Sequence, residues 1–333
     1  MSDSSTVGVD VRRQNNLSVV GRILRWHLLG PVAALAVAVI IFSLISPRFF
    51  TPVNLSLILQ QSVVIGILAV GQTLIILTSG IDLSIGSMAV MGTIVLALTA
   101  STHGPVAGLL MAVLACLIAG ALNGAIVTLL GLPPFIVTLG TYTIIFAFTQ
   151  LLAGSQTFPI SDPFLTVLGQ TFSIGGFTTT WGVVAMLVVY IVIGYALTQT
   201  AWGKHVMAVG GNPLAAELSG IRSNRNLFTV YLAAALIAAI ATWAAIGRIP
   251  NADPNAYQNA NLQSITATVI GGTSLFGGRG GVLGTLVGML IVSVLRNGLT
   301  LAGVDSLYQD IATGILVIAA VAVDQITRSR TSK

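Results

Sequence analysis

Glutamate occurs once in this 333-residue chain, at Glu217, and cysteine once, at Cys116. The acids number nine in all, and charged residues make up 7% of the chain, against about 25% in an ordinary soluble domain. One cysteine cannot form an intrachain disulfide, and in an apolar run it reads as a small buried hydrophobe. So little charge excludes a soluble domain, since a core cannot make up most of a protein. The acids fall nearly all between the apolar runs. A secondary transporter ordinarily carries proton- or sodium-binding carboxylates within its spans, so that class is disfavoured. A phosphate-cradling loop is missing too. No G-x-x-x-x-G-K-[ST] occurs; the nearest string, "AWGKH", lacks the first glycine and the hydroxyl after lysine. Gly277–Gly281 is glycine-rich without matching G-x-G-x-x-G. The chain is expected to hydrolyse no ATP, to hold no metal or cofactor, and to be no enzyme.

What it has is apolar length. Hydrophobic residues are 55% of the chain and the mean hydropathy is +0.96. Most of such a chain belongs in lipid. The net charge of +5 does not indicate nucleic acid, because the basic residues form no stripe. Residues 1–27 form a polar tail. Leu28–Ser46 is longer than a signal-peptide core, has no cleavage site after it, and reads as an uncleaved first helix. Further spans are expected at Leu55–Leu77, Ile85–Ala100, Val106–Leu130, Phe135–Ala153, Val183–Gln199, Leu227–Ile246, Val282–Leu301 and Leu307–Val323. Gln263–Phe276, with its internal Gly-Gly, is short for a crossing and predicts a short, tilted or broken helix buried among others.

Charge arbitrates the count. Lys and Arg concentrate in cytoplasmic loops. Ten crossings put Arg12, Arg13, Arg22, Arg25, Lys204, Arg222, Arg225, Arg279, Arg328, Arg330 and Lys333 inside, and leave only Arg48 and Arg248 in outside loops. Without the short crossing, Arg328 to Lys333 would move outside. The sequence thus predicts an all-α polytopic membrane protein of about ten transmembrane helices with both termini cytoplasmic. Its parts are a tail at 1–27, a permease domain at 28–324 and a tail at 325–333.

The segment 200–226 is then a cytoplasmic loop. Its core, "TAWGKHVMAVGGNPLAAELSGI" (Thr200–Ile221), is polar yet reads as ordered. Gly210 and Gly211 allow unusual dihedrals, and Asn212-Pro213 opens a helix with proline in its first turn. One or two helical turns follow through Ala215, Ala216, Glu217 and Ser219, stopped by Gly220. The two alanines predict a narrow ridge that a partner's groove could accept. This string resembles the coupling-loop motif of the ribose-type (carbohydrate-uptake) ATP-binding-cassette sugar permeases. "GQTLIILTSGIDLSIGSMAV" (Gly71–Val90) and "VIGGTSLFGGRGGVLGTLVG" (Val269–Gly288) resemble two further signatures of that family. The resemblance runs over about Asn54–Asp324. It implies a vitamin-B12-permease-like (type II importer) architecture. It also implies import of a sugar delivered by an extracytoplasmic binding protein. The drive would be a separate ATPase subunit, which would hold ATP and magnesium. Such motors work in pairs and this chain has one coupling loop, so a homodimer is expected, with pairing to a paralogue left open. The runner-up is a permease of the same kind for a branched-chain amino acid or nucleoside.

Other polar positions are weighed singly. Asp82 lies in "TSGIDLSIGS", where Ser84 is expected to cap the next helix. The turn reads first as a capped cytoplasmic turn and second as part of an inner gate, with Arg279 close enough to approach Asp82. Candidates for the substrate pathway are Gln72, Asn123, Thr138, Thr141, Tyr142, Thr149 and Asn297. The best grouping is on the fifth span, where Thr138, Thr141, Tyr142 and Thr149 share a face. Each could equally be glue between helices. Gly120–Gly124 and Gly284–Gly288 read as close helix packing. Arg296 sits inside a span, where an unpaired charge is expensive. The turn at Gly303–Ser306 brings Asp310 to a similar depth, so the two are expected to share a salt bridge or polar network.

Overall fold

The computed structural model describes residues 17–331, with side chains described for 28–319 and for 321, 322 and 325. The basic residues of the two expected tails lie outside the described side chains. Twelve helices and four short strands are described. The helices are α1 (Leu17–Ile45), α2 (Pro52–Leu77), α3 (Ile85–His103), α4 (Pro105–Leu129), α5 (Pro134–Ala153) and α6 (Trp181–Gln199). They continue as α7 (Ala201–Gly211), α8 (Pro213–Leu218), α9 (Ser223–Arg248), α10 (Ala260–Ile270), α11 (Val282–Leu301) and α12 (Ser306–Thr331). Among the described residues, eight of these are long and apolar enough to cross a membrane: α1 to α6, α9 and α11. The short segment near Gln263 is a buried eleven-residue helix, α10, followed by a glycine-rich turn. In α12 the apolar part is Ser306–Ala319.

Local chemistry sets the boundaries. Thr51 caps α2 by accepting from Asn54 N at 3.3 Å, with Pro52 in the first turn. Gly104 takes φ +88° between α3 and α4, and Pro105 opens α4. At one end of the bundle the connections form strands that the sequence did not announce. β1 (Phe158–Pro159) pairs antiparallel with β4 (Asn251–Ala252), and β2 (Thr171–Ile174) with β3 (Phe177–Thr180). The opposite end carries α7 and α8.

The helix α2 runs through the middle of the bundle: from Ser62 to Leu77 every side chain but Ile65 is buried. Lipid supplies little hydrophobic drive between helices, so close approach at small residues matters more. A methyl group on Gly120 of α4 would sit 2.9 Å from Tyr231 O of α9, and one on Gly124 3.0 Å from Phe228 Cδ2. One on Gly288 of α11 would sit 2.7 Å from Gly271 N, at the end of α10. Both glycine pairs are helix-packing positions, as expected from their spacing. Buried amides fasten other helices. Asn54 of α2 and Asn297 of α11 exchange two hydrogen bonds, at 2.9 and 3.0 Å. Cys116 is buried and free, its Sγ 3.4 Å from Met88 O.

Candidate functional site

Two regions concentrate polar chemistry, one at each end of the bundle. At the end carrying α8, the three strings singled out in the sequence meet. Ser79, just past α2, adopts φ +63° and sets its Oγ 2.9 Å from Gly210 O and 2.8 Å from Phe276 O. Gly278 N donates to Leu77 O at 2.9 Å. The approach leaves no room for side chains. A methyl on Gly277 would lie 2.7 Å from Gly210 O, one on Gly278 2.6 Å from Gly211 Cα, and one on Gly210 would collide with Leu77 O. Gly277 and Gly278 also take φ +79° and +69°, a region that L side chains rarely adopt. The end of α2, the end of α7 and the α10–α11 turn therefore form one close-packed junction.

From that junction α8 projects. Asn212 Oδ1 accepts from Ala215 N at 3.0 Å, Pro213 opens the helix, and Gly220 with φ +84° ends the turn after it. Ser219 Oγ donates to Ala215 O at 2.8 Å. The alanine ridge is not as expected. Ala216 is 4% exposed and turned into the protein, whereas Leu214 and Leu218 are 68% and 83% exposed. Residues four apart share a helix face, so the outward face presents Leu214 and Leu218, with Ala215 and Glu217 also exposed.

Beside the junction, residues 78–84 run back among the helices in non-helical form, and side chains satisfy their backbone. With its amide oriented to match donor to acceptor, Gln72 donates to Asp82 O at 3.0 Å and accepts from Asp82 N at 3.2 Å. Thr138 Oγ1 donates to Ile81 O at 3.0 Å and accepts from Leu83 N at 3.1 Å. Asn261 Nδ2 donates to Leu83 O at 2.9 Å. The buried Asp82 carboxylate accepts from Ser84 N at 2.7 Å and Ser84 Oγ at 2.6 Å, and Asn123 Nδ2 donates to Ser84 Oγ at 2.8 Å. Two expectations fail here. Ser84 makes no side-chain cap, because its hydroxyl is spent on Asp82. Arg279 is exposed while Asp82 is buried, and no ion pair joins them among the described residues.

The candidates for the substrate pathway all have structural partners. Gln72, Asn123 and Thr138 hold the 78–84 segment, and Asn297 holds Asn54. Thr149 donates to Ile145 O at 2.7 Å and Thr141 to Thr138 O at 3.3 Å, both within α5. Of the α5 face, Tyr142 and Thr149 line a narrow crevice against Pro254, Tyr257 and Gln258.

A polar space wider than this crevice lies toward the strand end. A cavity of ≈ 470 Å³ is lined by Gln61 of α2, Arg248 at the end of α9, and Asn255, Tyr257, Gln258 and Asn259 before α10. Gln263 of α10, Ser293 and Arg296 of α11, and Ser306, Gln309 and Asp310 of α12 complete the polar lining. Such a volume falls within the range of about 300–1,000 Å³ usual for small-molecule sites. Arg296 Nη2 donates to Asp310 Oδ1 in an ion pair. With the Gln263 amide oriented to match donor to acceptor, both terminal nitrogens of Arg296 lie 3.1 Å from its Oε1, and Asn259 Nδ2 donates to Asp310 Oδ2 at 3.3 Å. The pair thus belongs to a network joining α10, α11 and α12. Arg248 Nη1 donates to Gln61 O at 3.3 Å. Burial pushes the pKa of the Tyr257 hydroxyl up, against the nearby Arg248, so the phenol stays protonated. Primary amides both donate and accept, which suits a ligand bearing hydroxyl groups. The run "NADPNAYQNANLQ" carried the available signal: amides crowd the approach to a helix too short to span.

Comparison with known proteins agrees with this architecture. Residues 54–321 match the family described as branched-chain amino acid transport system / permease component. The fructose import permease protein of Rhizobium meliloti is 42% identical over 306 residues, covering 90% of this chain and 85% of that protein. The ribose import permease protein of Bacillus subtilis is 36% identical over 302 residues, 89% of this chain and 92% of that protein. The galactose/methyl galactoside import permease protein of Haemophilus influenzae is 33% identical over 297 residues, covering 84% and 88%. No solved structure matches the chain. With that match over most of its length and eight spanning-length helices, the chain belongs to this family of transport-system permease components and is a multi-pass protein of the plasma membrane.

Proposed function

We propose that the chain is the membrane-spanning subunit of an ATP-binding-cassette importer and carries a monosaccharide across the plasma membrane. One observation carries the reading: similarity along nearly the whole chain to curated sugar import permeases, 42% identical over 90% of its length in the first case. The amide-rich cavity supports it, because hydroxyls need partners that donate and accept. In this reading the α8 end faces the cytoplasm and the strand end faces outward, where an extracytoplasmic binding protein delivers the sugar. Both termini are cytoplasmic, and α10 and α12 bring the crossings to ten in a vitamin-B12-permease-like bundle. A separate ATPase subunit, holding ATP and magnesium, docks on α8, and two copies of this chain pair so that two α8 helices meet two motor subunits.

The family's description raises a second substrate class, the branched-chain amino acids. The lining of the cavity favours the sugar: an aliphatic side chain would leave Gln61, Gln258 and Gln263 facing a group that cannot bond them. Uptake of labelled monosaccharides by cells with and without the permease, competed by isoleucine or a nucleoside, tests the reading. Saturable sugar uptake that these competitors leave unchanged is expected. Isoleucine uptake without sugar uptake refutes it.

A further inference from the structure

A second cavity, of ≈ 490 Å³, opens at the α8 end and has no role in the reading above. Trp202 and His205 of α7, Ser219–Arg222 after α8, and Arg225, Asn226 and Thr229 of α9 line it. Three features of this pocket point to an anion. The first is charge. Arg222 and Arg225 are both exposed, neither takes part in an ion pair among the described residues, and no acid lines the space. The second is the start of α9, a helix of 26 residues that no side chain caps. Its first N–H groups and its dipole favour negative charge. The third is a buried donor without a partner. Asn226 is 6% exposed, its Nδ2 makes no hydrogen bond, and it lines the cavity. A buried donor left unsatisfied is costly, and a turn of the amide toward the cavity would give it to an acceptor placed there. Trp202 is held in place on the wall by its Nε1 donating to Thr229 Oγ1 at 2.9 Å.

We propose that this pocket binds a phosphate group. Oxygens of the phosphate meet the forked guanidinium donors of Arg222 and Arg225 and the amide of Asn226, beside the positive end of α9. Two sources share that chemistry. One is the headgroup of an anionic phospholipid, for which an aromatic–arginine pocket beside the spans is suitably built. The other is a water-soluble sugar phosphate or free phosphate. Ser219 and Gly220 belong both to this wall and to the turn ending α8, so occupancy would stiffen the base of α8 and bear on whatever docks there.

The test uses the purified full-length permease in two arms. In one, nanodiscs of phosphatidylcholine carry a minor fraction of phosphatidylglycerol, and lipid retained by the protein is counted by native mass spectrometry. In the other, protein in a neutral detergent is titrated with inorganic phosphate and with a hexose phosphate by calorimetry. Binding in at least one arm is expected, and the arm identifies the source. The R222Q/R225Q double variant changes exposed side chains and should weaken that binding by about tenfold or more, the scale of lost charge-assisted bonds. Asn226→Asp keeps the shape, replaces the donor with a repelling charge, and should weaken it similarly. No binding in either arm, or binding that both variants retain in full, overturns the proposal.

Discussion

Arg296 and Asp310 form the one salt bridge among the described residues. Their side chains are 33% and 42% exposed, so water screens the pair and the interaction itself is worth at most about 1 kcal/mol. Losing one partner is worse than losing both, because the survivor keeps its charge without its counterion. Arg296→Leu and Asp310→Leu should therefore each lower the thermal midpoint of the detergent-solubilised permease, and the double variant should recover part of the loss. Additive losses in a double-mutant cycle would show that the two do not interact. The pairing was legible in the sequence because both residues are rare charges at matching depth around a short turn. Gln263 and Asn259, which complete the network, were not legible. Neutral amides mark a stretch as polar but carry no charge sign that would name Arg296 or Asp310 as their partner. For Gln72, Asn123 and Asn297 the sequence left pathway and helix glue as equal readings, and their hydrogen bonds fasten helices and the 78–84 segment.

The element proposed to join the permease to its motor is α8, and its orientation decides which substitutions should uncouple. Leu214 and Leu218 point outward, so Leu218→Asp should abolish most ATP-driven uptake while leaving membrane insertion and thermal stability near the parent. Full uptake by the inserted variant would remove α8 as the docking element. Ala216→Arg acts differently, forcing a long charged side chain into a buried place. Loss of stability should accompany its loss of uptake, and a thermal midpoint like the parent's would contradict the packing described. The sequence predicted the helix, its proline start and its glycine stop, since those are local rules. It could not tell which alanine faces inward, because that depends on the junction of Leu77, Gly210 and Gly278 far apart in the chain. That junction yields its own prediction. Gly210→Ala places a methyl against Leu77 O, and the clash should cost about 1–3 kcal/mol, read as a lowered thermal midpoint. An unchanged midpoint would mean that the junction is looser than it is drawn here.

Over the whole molecule, the spanning helices could be read from apolar run length, which lipid enforces directly. The turn before α3 could be read as well, from the glycine, hydroxyl and acid of residues 78–84; what could not be read is that it is held by groups from four helices: Gln72, Asn123, Thr138 and Asn261. The result is an assembly with a close-packed junction at the end from which α8 projects and an amide-lined cavity toward the other. If α8 receives the stroke of an ATPase, the junction can pass it to α2, which reaches the cavity at Gln61, and through the α10–α11 turn to α10 and α11, which reach it at Gln263 and Arg296. In the proposed reading, transport by this route requires the motor. The most direct measurement is accumulation of a labelled monosaccharide in proteoliposomes holding the permease, its ATPase subunit and the binding protein, with and without hydrolysable ATP. The account predicts accumulation above the outside concentration only when ATP is hydrolysed, and none with the Leu218→Asp permease. Equal sugar entry without ATP, or concentration of an amino acid in its place, would contradict it.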